Sequence, residues 1–398
     1  MEKPKIRFGK FNSKWKKNKL DEVVDFFDNQ RIPIDSGERK DGPYPYYGAS
    51  GIIDYVDGYI FNGEYVLLAE DGANIILRSS PIAYLSKGKF WLNNHAHIMR
   101  MKTGSNEFLI QLLEKQNYEK YNTGTAQPKL NGEVVKNITL HFPSDDEQSA
   151  IGSLFRTLDE LLASYKDNLA NYQSLKATML TKMFPKAGQT VPEIRLDGFE
   201  GDWEKTDLNN STSRVKSYSL SRDVESNQDT GLKYIHYGDI HLGKVSRIDD
   251  GKLIPYIKPN TTLNEFLQKG DLIFADASED YKGIAEVAVL ACDIPETIVA
   301  GLHTIAVRPK SSFDSIFLFY MFKTQTFRRY GYKVGTGMKV FGISPSNLMK
   351  YEFYYPDKKE QSAIGSYFSN LDNLINSHQE KISQLETLKK KLLQDMFI

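Results

Sequence analysis

The sequence predicts an α+β protein built as an internal repeat, with two globular domains joined by two long helices that form an antiparallel coiled coil. The first observation is a gapless alignment of 143–184 with 356–397, in which 18 of 42 positions are identical. The second is an upstream alignment of 4–15 with 192–203. The third is that helical periodicity fills the long aligned segments, whereas short β-type runs fill the regions between them. We expect a pseudo-twofold axis to relate the two repeats.

Composition is compatible with two or three cores, since 40% of the 398 residues are hydrophobic. The single cysteine, Cys292, excludes an intrachain disulfide and a cysteine-rich zinc site. The net charge of zero argues against indiscriminate nucleic-acid binding by the whole chain. No apolar run approaches the ~18 residues of a membrane helix, and the first residues lack the apolar core of a signal peptide. We therefore expect a soluble, cytoplasmic protein without a membrane partner.

The segment 1–19 is locally basic, with eight Lys or Arg and one acid, Glu2. Two interpretations stay open. The segment is either an ordinary solvated surface or an edge that contacts phosphates.

The element boundaries follow from start and stop signals. Ser144 to Glu147 reads as a capping box, in which the serine accepts from the third amide and the glutamate reaches back to the cap. Asp357 to Glu360 places the same chemistry at the second repeat. The predicted order is a first domain at 1–143, a first helix at 144–184, a linker at 185–191, a second domain at 192–356 and a second helix at 357–398.

Each long helix carries apolar residues at alternating steps of three and four, which indicates a coiled-coil seam over about five heptads. A helix of some 36 residues spans about 54 Å and cannot bury such a stripe alone, so the other helix is its expected partner. The first predicted seam is Ile151, Leu154, Leu158, Leu161, Tyr165, Leu169, Tyr172, Leu175, Met179 and Met183. The second is Ile364, Tyr367, Leu371, Leu374, His378, Ile382, Leu385, Leu388, Leu392 and Met396.

The two globular domains match at their ends and differ in the middle, and the second is the longer of the two. This pattern predicts one scaffold that carries two different surfaces. Each domain is expected to be mixed α+β with a curved sheet, with one helical segment at 107–121 in the first and at 315–330 in the second.

A search for catalytic motifs favours binding over catalysis. There is no P-loop, no dinucleotide-binding glycine motif and no nucleophile elbow. His95 and His97 could form a metal pair, but no further ligand stands at suitable spacing, so no metal site is expected. Glu70 and Asp71 before Gly72 fit a β-turn. A non-enzyme is the resulting prediction.

Candidate DNA contacts are polar and aromatic residues in loop-like contexts, since amide, basic and acidic side chains can read base edges. In the first domain they are Tyr46, Tyr47, Asn94, His95, His97, Thr125, Gln127 and Lys129. In the second they are Tyr237, Asp239, His241, Lys282, His303, Thr336 and Lys339. Two unlike domains held by a helical spacer would read two half-sites around an unread gap.

The whole layout resembles the specificity subunits of type I restriction-modification enzymes. The resemblance rests on the repeated EQSAIGS motif at 147–153 and 360–366, the Leu-Asp-x-Leu motif at 158–161 and 371–374, and the Met-Phe pair at each helix end. Softer matches are the Pro-x-Ile-Arg opening before Trp15 and Trp203, NNHAH at 93–97 and GTAQPKL at 124–130. At 335–340 the second domain departs from the first domain's pattern.

The resemblance implies that each domain is a target-recognition domain for one half of a bipartite double-stranded DNA site. It further implies that the helices set the spacer and dock two adenine methyltransferase subunits, and that translocating nuclease subunits complete the complex. S-adenosylmethionine, ATP and Mg²⁺ would belong to those partners, with no cofactor in this chain.

Two alternatives from other classes stay open on the residues alone. One is a two-headed protein-interaction scaffold without DNA specificity, which the zero net charge permits. The other is an enzyme with an unrecognised site, such as a nuclease that uses Glu70 or Asp71.

Overall fold

The computed structural model describes residues 3–259, 262–278, 285–336 and 341–398. The chain divides into two compact units, and both long helices contribute residues to each of them. Unit 1 comprises Met1–Asp167 and Gln379–Ile398, and unit 2 comprises Asn168–His378. We call the globular part of each unit, without its helix segments, its head.

The helices are α1 (Leu20–Val23), α2 (Asn74–Leu77), α3 (Asn106–Lys115), α4 (Gly132–Lys136), α5 (Asp145–Lys182), α6 (Leu208–Ser211), α7 (Tyr237–His241), α8 (Ser315–Phe322), α9 (Gln325–Val334), α10 (Pro345–Met349) and α11 (Lys358–Asp395). The strands of the first head are β1 (Lys16–Lys19), β2 (Val24–Phe26), β3 (Tyr44–Gly48), β4 (Gly51–Val56), β5 (Phe61–Ala69), β6 (Ala83–Leu92), β7 (Ala96–Met101) and β8 (Thr139–Phe142). Those of the second head are β9 (Glu204–Asp207), β10 (Thr212–Val215), β11 (Glu225–Ser226), β12 (Leu232–Ile235), β13 (Arg247–Ile248), β14 (Tyr256–Ile257), β15 (Leu272–Ala275), β16 (Ala277–Ser278), β17 (Val287–Leu290), β18 (Thr297–Ala300), β19 (Thr304–Pro309), β20 (Phe341–Gly342) and β21 (Glu352–Tyr355).

The central sheets of the two heads share the order of five strands, and unit 1 adds β4 at the edge. In unit 1 the strand order is β2-β7-β5-β6-β3-β4, and in unit 2 it is β10-β19-β15-β17-β13. The pairing of β6 with β3 is parallel, and so is the pairing of β17 with β13. Each head also has a two-stranded antiparallel ladder, β1–β8 and β9–β21, that joins its first strand to its last. The α+β class and the internal repeat are thus confirmed.

Unit 2 differs by a second sheet, with the order β11-β14-β12-β18. These short strands lie between β10 and β19 in the chain, where the sequence repeat is weakest and where the second head has additional residues. The predicted helical segment of each head is interrupted. In unit 1, α3 ends at Lys115 and a 3-10 turn follows at Glu119–Tyr121, whereas in unit 2 α8 and α9 replace one continuous helix.

The long helices pack antiparallel within each unit, as predicted. In unit 1, Lys389 of α11 donates to Asp159 of α5, and Lys166 lies 2.7 Å from Glu386. In unit 2, Lys176 of α5 donates to Asp372 of α11. Residue numbers rise along one helix as they fall along the other, which is the signature of antiparallel packing.

The seam prediction was wrong in two turns of each helix. In the first of these turns it chose the wrong one of two adjacent apolar residues. Leu161 and Leu374 are 41% exposed, whereas the neighbouring Leu162 and Ile375 are 8% exposed. The same shift occurs in both helices. Other predicted seam residues are at least partly buried, namely Ile151, Leu154, Leu158, Leu169, Ile364, Leu371, Ile382 and Leu385.

At another equivalent turn the seam is polar. Leu175 and Leu388 were predicted to face the partner helix, but they are 37% and 44% exposed. The adjacent positions hold Lys176 and Lys389, which make the two interhelical ion pairs described above. A polar pair in a hydrophobic seam fixes the register of the helices, because any other alignment would leave the charges unpaired.

The glutamates of the two predicted capping boxes have another role. Arg7 donates to both carboxylate oxygens of Glu147 at 2.6 and 2.7 Å, and Arg195 does the same to Glu360 at 2.7 Å. Both glutamate side chains are fully buried. The positive charge of each arginine offsets the cost of removing the glutamate carboxylate from water. The Pro-x-Ile-Arg and EQSAIGS motifs are therefore two halves of one ion pair. The cap itself holds at the second helix, where Asp357 accepts from the amide of Glu360 at 2.9 Å.

An aromatic side chain at each helix end completes the core of a head. Phe397 of unit 1 lies 5.3 Å from the ring of Phe108 and 6.3 Å from that of Trp15. In unit 2, Phe184 lies 5.5 Å from Phe317, which in turn lies 5.9 Å from Trp203. The Met-Phe pair that ends both repeats is therefore an anchor in a hydrophobic core.

Candidate nucleic-acid interface

A network of charged side chains lies at one end of the central sheet of unit 1, where β5 ends and β7 begins. We call it the first polar cluster, and its members are Asp28, Arg31, Glu70, Asp71, His95, His97 and Lys129. Arg31 donates to Glu70 at 2.6 Å, and the ammonium of Lys129 lies 3.3 Å from the other oxygen of the same carboxylate. His95 contacts Asp71 at 2.9 Å and stays half-exposed.

The imidazole of His97 is buried and held on both sides. Its Nδ1 lies 2.7 Å from the Asp28 carboxylate, and its Nε2 lies 2.8 Å from the carbonyl oxygen of Leu130. Both ring nitrogens are therefore occupied by contacts within unit 1. Burial acts to raise the pKa of Asp28, but the hydrogen bond and charge of His97 and the nearby Arg31 outweigh it and hold that pKa below its ordinary value. His97 therefore fixes the chain in this region and is not available to a base.

The 122–130 loop is largely exposed at this end of unit 1. The Asn122 side chain accepts from the amides of Gly124 and Lys129 at 3.0 and 2.9 Å, which closes the loop. A Cβ at Gly124 would lie 1.8 Å from the Gln127 carbonyl oxygen, so only glycine fits there. The loop is anchored to the sheet by hydrogen bonds from Gly72 to Pro128 and from Leu130 to Glu70. Its tip presents Thr125 and Gln127 to solvent.

Tyr46 and Tyr47 lie in β3, and the expected loop context is wrong for both. Tyr46 is 1% exposed, its hydroxyl accepts from the Ile34 amide at 2.9 Å, and Arg39 covers its ring at 4.5 Å. Tyr47 stacks on Tyr84 with ring centroids 5.8 Å apart. Both rings stabilise the sheet through these contacts within the head. Asn94, by contrast, is exposed beside His95.

Unit 2 repeats the backbone of this region with different side chains. In unit 1 the Glu70 amide donates to the His95 carbonyl at 2.9 Å, and in unit 2 the Asp276 amide donates to the His303 carbonyl at 3.0 Å. The hydrogen bond from Leu130 to Glu70 has its counterpart from Ile343 to Asp276. The frame is thus the same at the end of both sheets, while its side chains differ.

The second frame carries fewer ion pairs among the residues that the structure describes. His303 lies 3.1 Å from Asp276, is half-exposed, and adopts a left-handed backbone conformation with φ of 54°. Burial raises the pKa of Asp276, and His303 offsets this only in part. Tyr237 meets the His303 ring edge-on at 5.4 Å, and His241 lies 3.3 Å from the Ser278 hydroxyl.

The remaining candidates of unit 2 have mixed placements. Asp239 is buried and accepts two hydrogen bonds from Arg222, at 2.8 and 3.2 Å, so it is not available to a cytosine. Thr336 is exposed and pairs with Gly342 through two backbone hydrogen bonds. Lys282 and Lys339 lie outside the described residues.

The sequence did not single out Asp28, Arg31 and Asn122, which organise the first polar cluster and the 122–130 loop. Their partners are 69, 39 and up to seven positions away along the chain. No local pattern signals such contacts. Glu70 and Asp71, which were interpreted as a turn, are the acidic partners of the cluster.

Within the described part of the chain, no group of three or more His, Cys, Asp or Glu side chains could hold a metal ion. Nor is any helix in those residues long and apolar enough to cross a membrane.

Comparison with protein families places two segments of the chain, 12–171 and 235–387, in one family, the type I restriction modification DNA specificity domain. A specificity subunit of a type I restriction enzyme from Methanocaldococcus jannaschii is 23% identical over 95% of this chain and 91% of its own length. A putative type I specificity subunit of Mycoplasma pneumoniae is 22% identical over 94% of both chains. A putative specificity subunit of Haemophilus influenzae is 38% identical, but the match spans 36% of this chain and 37% of that protein.

Among solved structures, the S subunit of a type I restriction-modification system from M. genitalium is similar in fold. The two superpose with a TM-score of 0.66 over 100% of this chain and 99% of the other, at 15% sequence identity.

Proposed function

Because the chain belongs to the type I restriction-modification DNA specificity family, its role is DNA sequence recognition, and we propose that each of its two units reads one half of a split DNA site. Proteins of this family are generally non-catalytic. The family match favours this function over a protein-interaction scaffold.

One observation carries the proposal. The backbone frame at the sheet end is repeated in the two heads, at Glu70 and His95 and again at Asp276 and His303, but the side chains around it differ. A frame that is kept while its exposed groups change suits two readers of two different sequences. In unit 1 the accessible donors and acceptors are those of Asn94, His95, Thr125, Gln127 and Lys129. The loop that carries three of them is closed on itself and anchored to the sheet, which is the rigidity that base discrimination needs.

The test is adenine methylation mapped across a genome after co-expression with the methyltransferase subunits. The parent chain is expected to give two short defined sequences around a fixed gap. Gln127→Ala should relax or change one half only, and Thr336→Val should affect the other half only. Gln189→Ala, in the exposed segment between the two repeats, is the matched control and should leave both halves unchanged. A single continuous motif, or a change of both halves by one variant, would contradict the proposal.

The long helices are proposed to dock two methyltransferase subunits, with S-adenosylmethionine, ATP and Mg²⁺ held by those and by the nuclease subunits. The support is a set of four exposed leucines at equivalent positions of the two helices: Leu161, Leu175, Leu374 and Leu388. The recurrence of the same exposed leucines in both repeats supports an equivalent docking surface on each helix.

Two leucines of one helix give a matched pair for this part. Leu161→Asp should abolish co-purification with the methyltransferase while thermal unfolding stays close to that of the parent. Leu158→Asp, one helical turn earlier and buried, should destabilise the helix pair itself by several kcal/mol. Retained co-purification of the Leu161→Asp and Leu374→Asp variants would remove the docking role of these residues.

A further inference from the structure

The segment before the first sheet has opposite charge in the two units. The segment 3–19 of unit 1 contains eight basic and no acidic residues, whereas the aligned segment 191–207 of unit 2 contains two basic and six acidic residues. The segments fold alike, since Arg7 and Arg195 make the same buried ion pair and Trp15 and Trp203 both lie 5.9 Å from a core phenylalanine. The inversion therefore changes the surface and leaves the scaffold intact.

Three lysines of unit 1 line one surface depression of about 500 Å³, and we call them the lysine surface: Lys14, Lys16 and Lys102. All three are exposed. Among the described residues, no carboxylate lies within 4 Å of Lys14 or Lys16, although Glu22 and Asp145 also line the depression. The ammonium of Lys102 donates to two backbone carbonyls, those of Asp21 and Glu22, and so keeps its charge uncompensated.

The equivalent positions in unit 2 lack this surface. Lys14 and Lys16 align with Asp202 and Glu204, and Lys102 aligns with Lys310. The last equivalence follows from the backbone, because the amide of Lys102 donates to Val23 and that of Lys310 donates to Ser211, which is the residue aligned with Val23. Two of three charges are thus reversed on an equivalent backbone.

The lysine surface lies at the far end of β7 from the first polar cluster. His97 is the second residue of that strand, and Lys102 directly follows its last residue. Five strand residues span roughly 17 Å, which is about half a turn of duplex DNA. A duplex that runs along β7 from the first polar cluster would therefore reach the lysine surface. The groups that the lysines would meet there are phosphates, because each DNA strand carries one negative charge per ~3.4 Å.

We propose that the lysine surface binds the phosphate backbone of the duplex beside the half-site read by unit 1, and that unit 2 has no counterpart. The contact adds affinity without sequence preference, and it makes the hold on DNA stronger on one side of the split site. The proposal rests on DNA recognition as the function of the chain. Under this proposal the DNA affinity of unit 1 depends more strongly on salt than that of unit 2, because only unit 1 displaces counterions from the DNA at this surface.

The test measures affinity for two duplexes of equal length, one with the mapped motif and one with both halves scrambled, over a salt series. The protein is the full chain in complex with its methyltransferase subunits. Lys14→Gln/Lys16→Gln/Lys102→Gln should weaken binding to both duplexes by roughly tenfold or more and reduce the salt slope by about 2 to 3. The ratio between the duplexes should stay the same. Lys310→Gln is the matched control and should change nothing, and Lys14→Arg/Lys16→Arg/Lys102→Arg should bind like the parent.

A variant that adds the equivalent lysines to unit 2 gives a second test, which does not depend on a loss of binding. Asp202→Lys/Glu204→Lys should build the same surface on unit 2, raise affinity for both duplexes and steepen the salt slope. An unchanged slope in the folded triple variant would overturn the inference. Loss of methyltransferase co-elution with unchanged DNA binding would also overturn it, and would assign the surface to an acidic protein partner. If instead the parent complex does not prefer the motif duplex, the proposed function itself fails.

Discussion

Unit 1 and unit 2 are two versions of one structure, and they differ at the surface far more than in the core. The same arginine–glutamate pair, the same tryptophan and the same terminal phenylalanine build both cores. The sheet ends and the segments before the sheets carry different groups, and the second head adds a whole sheet. After the duplication, the residues that hold each head on its helices stayed the same, whereas the residues that face solvent changed.

The largest effect is expected at the shared ion pair, and it should be equal in the two units. Arg7→Met leaves Glu147 buried without a partner, and Arg195→Met does the same to Glu360. Each change should cost about 3 kcal/mol of unfolding free energy, since removing one partner of a buried pair is strongly destabilising. Hydrogen exchange resolved by unit, in urea, measures it. The double variant Arg7→Met/Glu147→Met should recover most of the loss, and a cost confined to one unit would break the equivalence.

The seam ion pairs should be unequal. Asp372 accepts from Lys176 and, at 2.6 Å, from the Tyr320 hydroxyl, and its side chain is 19% exposed. Asp159 accepts from Lys389 and its side chain is 45% exposed. Asp372→Asn is expected to cost about 2 kcal/mol, whereas Asp159→Asn should cost less than about 1 kcal/mol because solvent screens the pair. Chemical denaturation measures the cost of each substitution. In a Tyr320→Phe background, the difference between the costs of Asp372→Asn and Asp159→Asn should become smaller. Equal costs would contradict the role given to Tyr320.

A helical glycine of each repeat gives a smaller and more local contrast. A Cβ at Gly152 would lie 2.6 Å from the Ser105 hydroxyl and 3.0 Å from the Phe108 amide, but one at Gly365 would lie no closer than 3.2 Å to any atom. Gly152→Ala should therefore lose about 1 kcal/mol, because an overpacking cost of about 2 kcal/mol exceeds the gain in helix propensity of about 1 kcal/mol. Gly365→Ala should be near neutral, because a gain in helix propensity of about 1 kcal/mol offsets the tighter fit. Thermal unfolding of the two variants checks this, and the opposite order would show that the heads approach their helices differently from the structure.

The smallest contrast is in pH dependence. The pKa of Asp28 is lowered, so its contribution to stability is present above the ordinary value of 3.8 and is lost as pH falls through the lower folded value. The pKa of Asp276 is raised, so its contribution is present below 3.8 and is lost as pH rises through the higher folded value. At pH 7, Asp28→Asn should destabilise and Asp276→Asn should not. Denaturation midpoints of the parent and the two variants at pH 7 and at about pH 3 test both signs. A loss of stability from Asp276→Asn at pH 7 would refute the sign given for Asp276.

Because the chain contains an internal repeat, most of the fold could be predicted from the sequence. The alignment of 143–184 with 356–397 defined both helices. Their apolar stripes predicted that they pair, and the equivalence of the two repeats predicted that they run antiparallel. The choice between adjacent apolar residues did not follow. Leu161 and Leu162 both continue a helical stripe, and only the partner helix decides which one is buried. A local pattern contains no information about that partner.

The candidate interface was harder to predict from the sequence for the same reason. Exposed residues in glycine-rich or polar runs, such as Thr125 and Gln127, were placed correctly in a loop. Tyr46 and Asp239 were not, because their partners Ile34 and Arg222 lie 12 and 17 positions away and hold them in the interior. Buried polar residues look like surface residues until the distant partner is known.

The position of Phe397 has a consequence for synthesis on the ribosome. The core of unit 1 contains this residue and Met396, so the unit that begins first cannot be completed until the segment after α11 emerges. Phe184, the equivalent residue, emerges earlier by roughly 10 to 40 s at ordinary translation rates. During that interval the core of the first head lacks the side chain that packs against Phe108 and Trp15 in the finished unit.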